Sequence, residues 1–151
     1  MIKNAIGDLV PHANPMRMVD ELVSYSRTGV VVLAFINEDH AFAQSEGVPA
    51  HVGLEMMAQA CAVWAGLEAR DAGKQVQVGL LLGSRSCRVE EPFFLFGEKL
   101  IVHAELVFRL GGMGVFDCNI ELAGRRVAEA SLNVYQPEDG SLSPASGMPA
   151  S

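Results

Sequence analysis

From Val48 to Gly66 the chain reads VPAHVGLEMMAQACAVWAG, with apolar residues on nearly every side of a helical projection. The spacing predicts one long helix from Val48, with Pro49 at its start, where a missing N–H costs nothing, and Gly73 as its stop. A helix that is apolar all round is surrounded by protein rather than lying half-exposed on a surface. The only carboxylate in this stretch is Glu55.

The surrounding material is visible on either side. Downstream, QVQVGLLLGSRSCRV and KLIVHAELVFRLGGMGVFDCNIELAGRRVAEASLNVYQ are rich in Val, Leu, Ile and Phe and alternate with period two, which is the strand signal. Gly111-Gly112 and Ala123-Gly124-Arg125 interrupt the second run as turns. Upstream, RTGVVVLAFIN reads as a further strand. Strands joined by short turns pair antiparallel, so the pattern predicts an α+β fold, a curved antiparallel sheet wrapped around one long central helix.

A chain of 151 residues, half of them hydrophobic, suits one domain with a real core. That domain is expected over 1–136; over 137–151 Pro, Gly and Ser replace the apolar pattern, which predicts a disordered tail. The apolar run Val52 to Leu67 falls short of the roughly 20 residues that span a bilayer and contains Glu55. The first residues show no basic stretch leading into an apolar block, so the expected compartment is the cytoplasm. Cys61, Cys87 and Cys118 form no C-x-x-C pair and read as reduced packing residues. A net charge of −7 argues against nucleic acid and anionic lipid as partners. The histidines lack metal-ligand spacing and no Gly-rich phosphate loop appears, so no metal or organic cofactor is implied.

Three stretches, in order, carry a resemblance. PHANPMRMVDEL is similar to an opening Pro-His-x-x-Pro motif that ends in Asp. VPAHVGLEMMAQA is similar to a helix start with Pro-Gly, then Glu or Asp, then Met-x-Gln. SRSCRVEEPFFLFGEKLIV with RRVAEASLNV is similar to an Arg-rich strand, a Pro-x-x-x-Gly-acid-x-Leu turn and a closing Val-Ala-Glu-Ala strand. Together they resemble the hot-dog fold beta-hydroxyacyl-ACP dehydratases of fatty acid synthesis, most closely those of aryl-polyene-type pathways.

The resemblance implies dehydration of (3R)-hydroxyacyl thioesters to trans-2-enoyl thioesters. A histidine takes the proton alpha to the thioester carbonyl and the helix carboxyl group protonates the departing hydroxyl. By position Glu55 is that acid, and burial without a partner would raise its pKa toward neutrality. Its structural alternative is an ion pair or a wet cleft. Pro49 and Ala50 stand where the family places Pro-Gly, beside backbone N–H groups that can hold the thioester oxygen. Gln59, one turn after Glu55, either holds the carboxyl group or bonds to the sheet.

Two histidines compete for the base. The family's usual position is occupied by Ala41, with His40 beside it; His12 matches the histidine of the opening motif, which in relatives lines the tunnel. Their structural alternatives are a loop residue for His40 and N-terminal packing for His12. His51, one turn before Glu55, is expected to line the entrance or pair with the acid. His103 alternates with Ile101, Glu105, Val107 and Arg109 on one strand face and reads as a surface residue.

The resemblance further implies a homodimer whose sites draw on both chains, with acyl carrier protein or coenzyme A carrying the substrate. Docking of an acidic carrier calls for a basic patch, for which Arg85, Arg88, Arg125 and Arg126 are candidates. The competing functions are a hot-dog acyl thioesterase and a non-catalytic acyl-binding subunit of a mixed dimer.

Overall fold

The computed structural model describes residues 17–74 and 80–135; His12, the opening Pro-His pair and the tail expected over 137–151 lie outside the described residues. The elements run β1 (Glu21–Tyr25), β2 (Gly29–Phe35), β3 (Val48–Pro49), a 3-10 turn (Ala50–Val52), α1 (Gly53–Asp71), β4 (Leu80–Val89), β5 (Phe93–Phe94), β6 (Lys99–Leu110), β7 (Met113–Leu122) and β8 (Arg125–Tyr135). Six strands form one sheet in the order β1-β2-β6-β7-β8-β4, with every neighbouring pair antiparallel. The predicted α+β architecture, a hot-dog arrangement of one long helix against a curved sheet, is the one observed.

Alternation explains how the sheet receives the helix. Val30, Val32 and Ala34 of β2, Leu100, Val102 and Ala104 of β6, Phe116, Cys118 and Ile120 of β7 and Ala128, Ala130 and Leu132 of β8 are all buried. They share a core with Met56, Met57, Ala60, Cys61, Val63 and Trp64 of α1. Each such large apolar side chain contributes about 1.5–3 kcal/mol on burial. Trp64 sets its ring edge-on to Phe116 at 5.6 Å and donates its indole N–H to the Ser26 carbonyl at 3.1 Å, so its polar end is also satisfied.

The helix begins later than its periodicity predicts. Val48 and Pro49 pair with Phe94 and Phe93 in a short ribbon, a 3-10 turn follows, and the α-helix starts at Gly53. Pro49 is extended, at φ −55° and ψ 132°, which suits a strand end. Gly53 lets the start of the helix pack tightly on the sheet; a Cβ there would lie 2.9 Å from Ile120 Cδ1. The stop agrees with the sequence. Gly73 takes φ +72°, and the Gly73 and Lys74 N–H groups close back on the Arg70 and Ala69 carbonyls, a Schellman ending.

The helix is not enclosed on every side within one chain. Leu54, Glu55, Ala58, Ala62 and Ala65 form a half-buried face, because the sheet covers only the opposite side. Among the described residues no helix is long and apolar enough to cross a membrane.

A bulge revises the reading of β6. The register slips between Leu106 and Phe108, so Arg109 no longer shares the face of His103. Its guanidinium instead stacks 5.0 Å over the Trp64 ring and pairs with Glu68 at 2.6 Å.

Candidate active site

Glu55 lies in the first turn of α1, two residues after Gly53 brings the helix onto the sheet. It is half-buried rather than sealed, because it sits on the face of α1 that the sheet leaves uncovered. The isolated buried carboxylate expected from the sequence is therefore not what one chain forms.

One turn on, Gln59 is the buried polar side chain of the core among the described residues, at 0% exposure. Its amide nitrogen donates to Glu55 Oε2 at 3.1 Å, and its amide oxygen accepts the Met18 N–H at 2.7 Å. Of the two roles weighed for Gln59, holding the Glu55 carboxyl group is the one observed; its other end bonds not to the sheet but to the segment before β1, which it ties to the helix. A buried amide needs partners at both ends, and this geometry supplies them. Met18 belongs to the same opening stretch as His12.

Two positions along the chain sits Asp20, which the sequence reading left without a role. Its Oδ2 accepts the Phe35 N–H at 2.8 Å, continuing the β1–β2 pairing ahead of the first residue of β1. Burial raises its carboxyl above the usual range, against the lowering pull of that backbone bond and of Arg17. Its place in the quoted MVDEL stretch is the signal that could have found it.

His40 lies in the turn after β2, within the electrostatic reach of Asp20. The Phe42 N–H donates to His40 Nδ1 at 3.1 Å. Nε2 is buried and has no hydrogen-bond partner among the described residues. Burial lowers the imidazole below its ordinary value, and the Asp20 charge partly offsets that.

The remaining candidates scatter. His51 is exposed in the 3-10 turn. The Ala50 N–H, the candidate donor for a thioester oxygen, already donates to the Pro92 carbonyl at 3.0 Å. That bond extends the β3–β5 ribbon, and Pro49 ahead of it has no N–H to offer. His103 is half-buried on the outer sheet face, with Nε2 3.4 Å from Glu121 Oε1, so it is less open than expected.

The basic patch expected from four arginines is largely neutralised within the chain. Arg88 pairs with its cross-strand neighbour Glu129 at 2.7 Å and with Glu90; Arg126 reaches Glu129 at 3.2 Å; Arg125 reaches Glu91 at 3.1 Å. Arg85, exposed on the edge strand β4, forms no ion pair among the described residues. Cys61 and Cys118 are buried packing residues in contact at 3.6 Å, as expected, whereas Cys87 is exposed on β4. Among the described residues no group of acidic, His or Cys side chains could hold a metal ion.

Comparison with known proteins places this geometry. The sequence model of the ApeP-like family, described as ApeP dehydratase, matches residues 4–144. A 3-hydroxyacyl-[acyl-carrier-protein] dehydratase FabZ from Bartonella quintana is 29% identical over 131 residues, covering 82% of each chain. The corresponding FabZ of Streptococcus gordonii is 28% identical, covering 85% of this chain and 93% of its own. Among solved structures, a chain of the dehydratase heterocomplex ApeI:P from Xenorhabdus doucetiae superposes with a TM-score of 0.85 at 26% identity, covering 95% of this chain and 97% of that one. A hypothetical thioesterase with coenzyme A from Streptococcus pneumoniae, 19% identical with a TM-score of 0.59 and covering 77% and 84%, shares the fold alone.

Proposed function

The chain belongs to the ApeP-like dehydratase family, and from that premise we propose that it eliminates water from (3R)-hydroxyacyl thioesters carried on acyl carrier protein, in fatty acid or polyene-type synthesis. The observation that carries the assignment of roles is the Glu55 carboxyl group held by the Gln59 amide at the head of α1.

In the reaction a base takes the proton alpha to the thioester carbonyl. The released electron pair forms the alpha–beta double bond, and the C–O bond breaks toward the beta-hydroxyl, which leaves as water with a proton from Glu55. Glu55 starts neutral and ends as a carboxylate. An amide N–H from Gln59 can support either form, so the acid can change charge without losing its orientation.

We assign the base to His12. The His40 Nδ1 lone pair is occupied by the Phe42 N–H, and in the neutral ring the proton then resides on Nε2, so neither nitrogen is free to accept one. His12 belongs to the same sequence motif as Met18, whose N–H bonds to the Gln59 amide that also holds Glu55. Pro49 and His51 border the thioester's approach at the helix start.

The half-buried face of α1 around Glu55 supports a second hot-dog chain completing the site. The resemblance points to a homodimer, whereas the solved ApeI:P relative is a heterocomplex, which favours a non-identical partner. Native mass spectrometry of the purified chain separates the two: a stable dimer alone supports the homodimer, and a monomer that pairs only with a second hot-dog protein supports the mixed assembly. The free thiols of Cys61, Cys87 and Cys118 suit the cytoplasm.

The test is the absorbance of the enoyl thioester formed from a 3-hydroxyacyl thioester by wild type, Glu55→Gln and His12→Ala. Loss of activity in both folded variants is expected. Full activity of Glu55→Gln, or release of free thiol without enoyl product, would overturn the reading in favour of a thioesterase or an acyl-binding subunit.

A further inference from the structure

The hydrogen bond on Glu55 depends on which way the Gln59 amide is turned, and that orientation is decided outside the helix. A glutamine amide has a donor end and an acceptor end of nearly equal size, so packing alone does not choose between its two orientations. Met18 N–H does choose. A backbone N–H only donates, so the Gln59 oxygen must turn to it, at 2.7 Å, which leaves the amide nitrogen toward Glu55 Oε2 at 3.1 Å. Reversed, the buried amide would set its NH2 against another donor.

Met18 N–H reaches the helix because the main chain leaves the sheet just ahead of β1. Asp20 N–H still bonds to the Leu33 carbonyl of β2 at 2.7 Å, whereas two residues earlier Met18 N–H bonds to α1. Between them Val19 is fully buried. The N–H of Phe35, the last residue of β2, is taken at 2.8 Å by the Asp20 side chain, where a regular ladder uses a main-chain carbonyl. Asp20 thus closes the end of β2 with its own carboxylate and leaves the main chain before it to the helix.

We propose that Asp20 is a positioning residue of the site: through Met18 it holds the Gln59 amide in the orientation that donates to Glu55. Each link is a hydrogen bond of the folded chain, from Phe35 N–H to Asp20, from Met18 N–H to Gln59 and from Gln59 to Glu55. A misaligned donor at the acid slows proton delivery more than it weakens the hold on substrate, so the effect of Asp20 falls on kcat.

This inference rests on the reading of Glu55 as the acid, and its test separates the two. The side-chain NH2 resonances of Gln59, identified by their loss in Gln59→Leu, are followed in proton–nitrogen spectra of wild type, Asp20→Ala and Asp20→Asn. The same proteins are compared for kcat and KM on a 3-hydroxyacyl thioester, each checked by circular dichroism. Asparagine keeps an acceptor oxygen for Phe35 N–H without the charge. Asp20→Ala is expected to lower kcat about 10–10²-fold with KM little changed and to move the Gln59 resonances, and Asp20→Asn to recover most of the rate and of the wild-type spectrum. In the Gln59→Leu background Asp20→Ala should cost nothing further in kcat, because the residue through which it acts is gone. If Asp20→Ala does not fold, Asp20→Ser, whose hydroxyl is one bond shorter than the carboxylate, is measured in its place. Gln59 resonances or a kcat unmoved by the folded variant, additive losses in the double variant, or Asp20→Asn as slow as Asp20→Ala each overturn the positioning role, while an active wild type leaves the dehydratase reading standing. A wild type that forms no enoyl thioester, alone or with a partner chain, overturns the dehydratase reading, and the spectra still decide whether Asp20 sets the Gln59 amide.

Discussion

The head of α1 and the β4–β8 edge hold their carboxylates in different ways. At the head of α1, Glu55 takes a hydrogen bond from a neutral amide that is itself buried and tied to the backbone. On the β4–β8 edge, Glu129 lies between the Arg88 and Arg126 guanidinium groups, which hold its carboxyl below the usual range, Arg88 most strongly. A carboxylate fixed by cations is locked in its charged form, whereas one fixed by an amide keeps its orientation in either protonation state. The first arrangement glues an edge strand to its neighbour; the second is suited to passing a proton.

The comparison breaks most sharply at the acid. Glu55→Gln keeps the shape and a hydrogen-bonding partner for Gln59 but removes the transferable proton, so kcat should fall about 10²–10⁴-fold in the enoyl absorbance assay with little change in Tm. Next comes Gln59→Leu, which leaves the Met18 N–H without its acceptor and takes the amide N–H away from Glu55. Thermal unfolding should show a loss of about 1–3 kcal/mol, together with a fall in kcat larger than any change in KM. A variant that loses stability at unchanged kcat would show that Gln59 serves only the fold.

Smaller effects are expected at the sheet edge. If docking uses Arg85, which alone of the four candidate arginines forms no ion pair among the described residues, Arg85→Glu should raise KM several-fold for carrier-linked substrate and leave a pantetheine-linked substrate unaffected. Arg88→Ala should barely move Tm, and less still at high salt, because its pairs are exposed.

The His40 turn sharpens the contrast through pH. Its imidazole is lowered in the folded state, so the unfolded chain takes up the proton first as pH falls. The contribution is present above the unfolded value of 6.5 and lost as pH drops toward the lower folded value. The Tm-versus-pH curve of His40→Gln should be flatter over that window than that of wild type, and parallel curves would mean the ring is not buried in solution.

Much of this was legible along the chain because it depends on period. The alternation in β2, β6, β7 and β8 and the Gly111 and Gly124 turns mark the sheet, and an apolar helix with one carboxylate marks where chemistry could sit. Other features are too short or too local to show in a pattern. The β3–β5 ribbon is two residues wide and took Val48 and Pro49 from the expected helix. The β6 bulge needs only one slipped residue to turn Arg109 inward onto Trp64.

The sequence by itself determined the fold class, the place of a lone carboxylate on the helix and the presence of an amide one turn away, because hydrophobic period and i, i+4 spacing are properties of neighbours along the chain. Only the tertiary structure decided what those groups touch. The bonds of Gln59 to Met18, of Arg109 to Glu68 and of Arg88 to Glu129 each join residues 41 positions apart. Nothing in local spacing selects one glutamate over another as an arginine's partner, or one backbone N–H as an amide's. Strand register and the closure of the helix onto the sheet make that choice, and with it separate a carboxylate held by an amide from carboxylates held by cations.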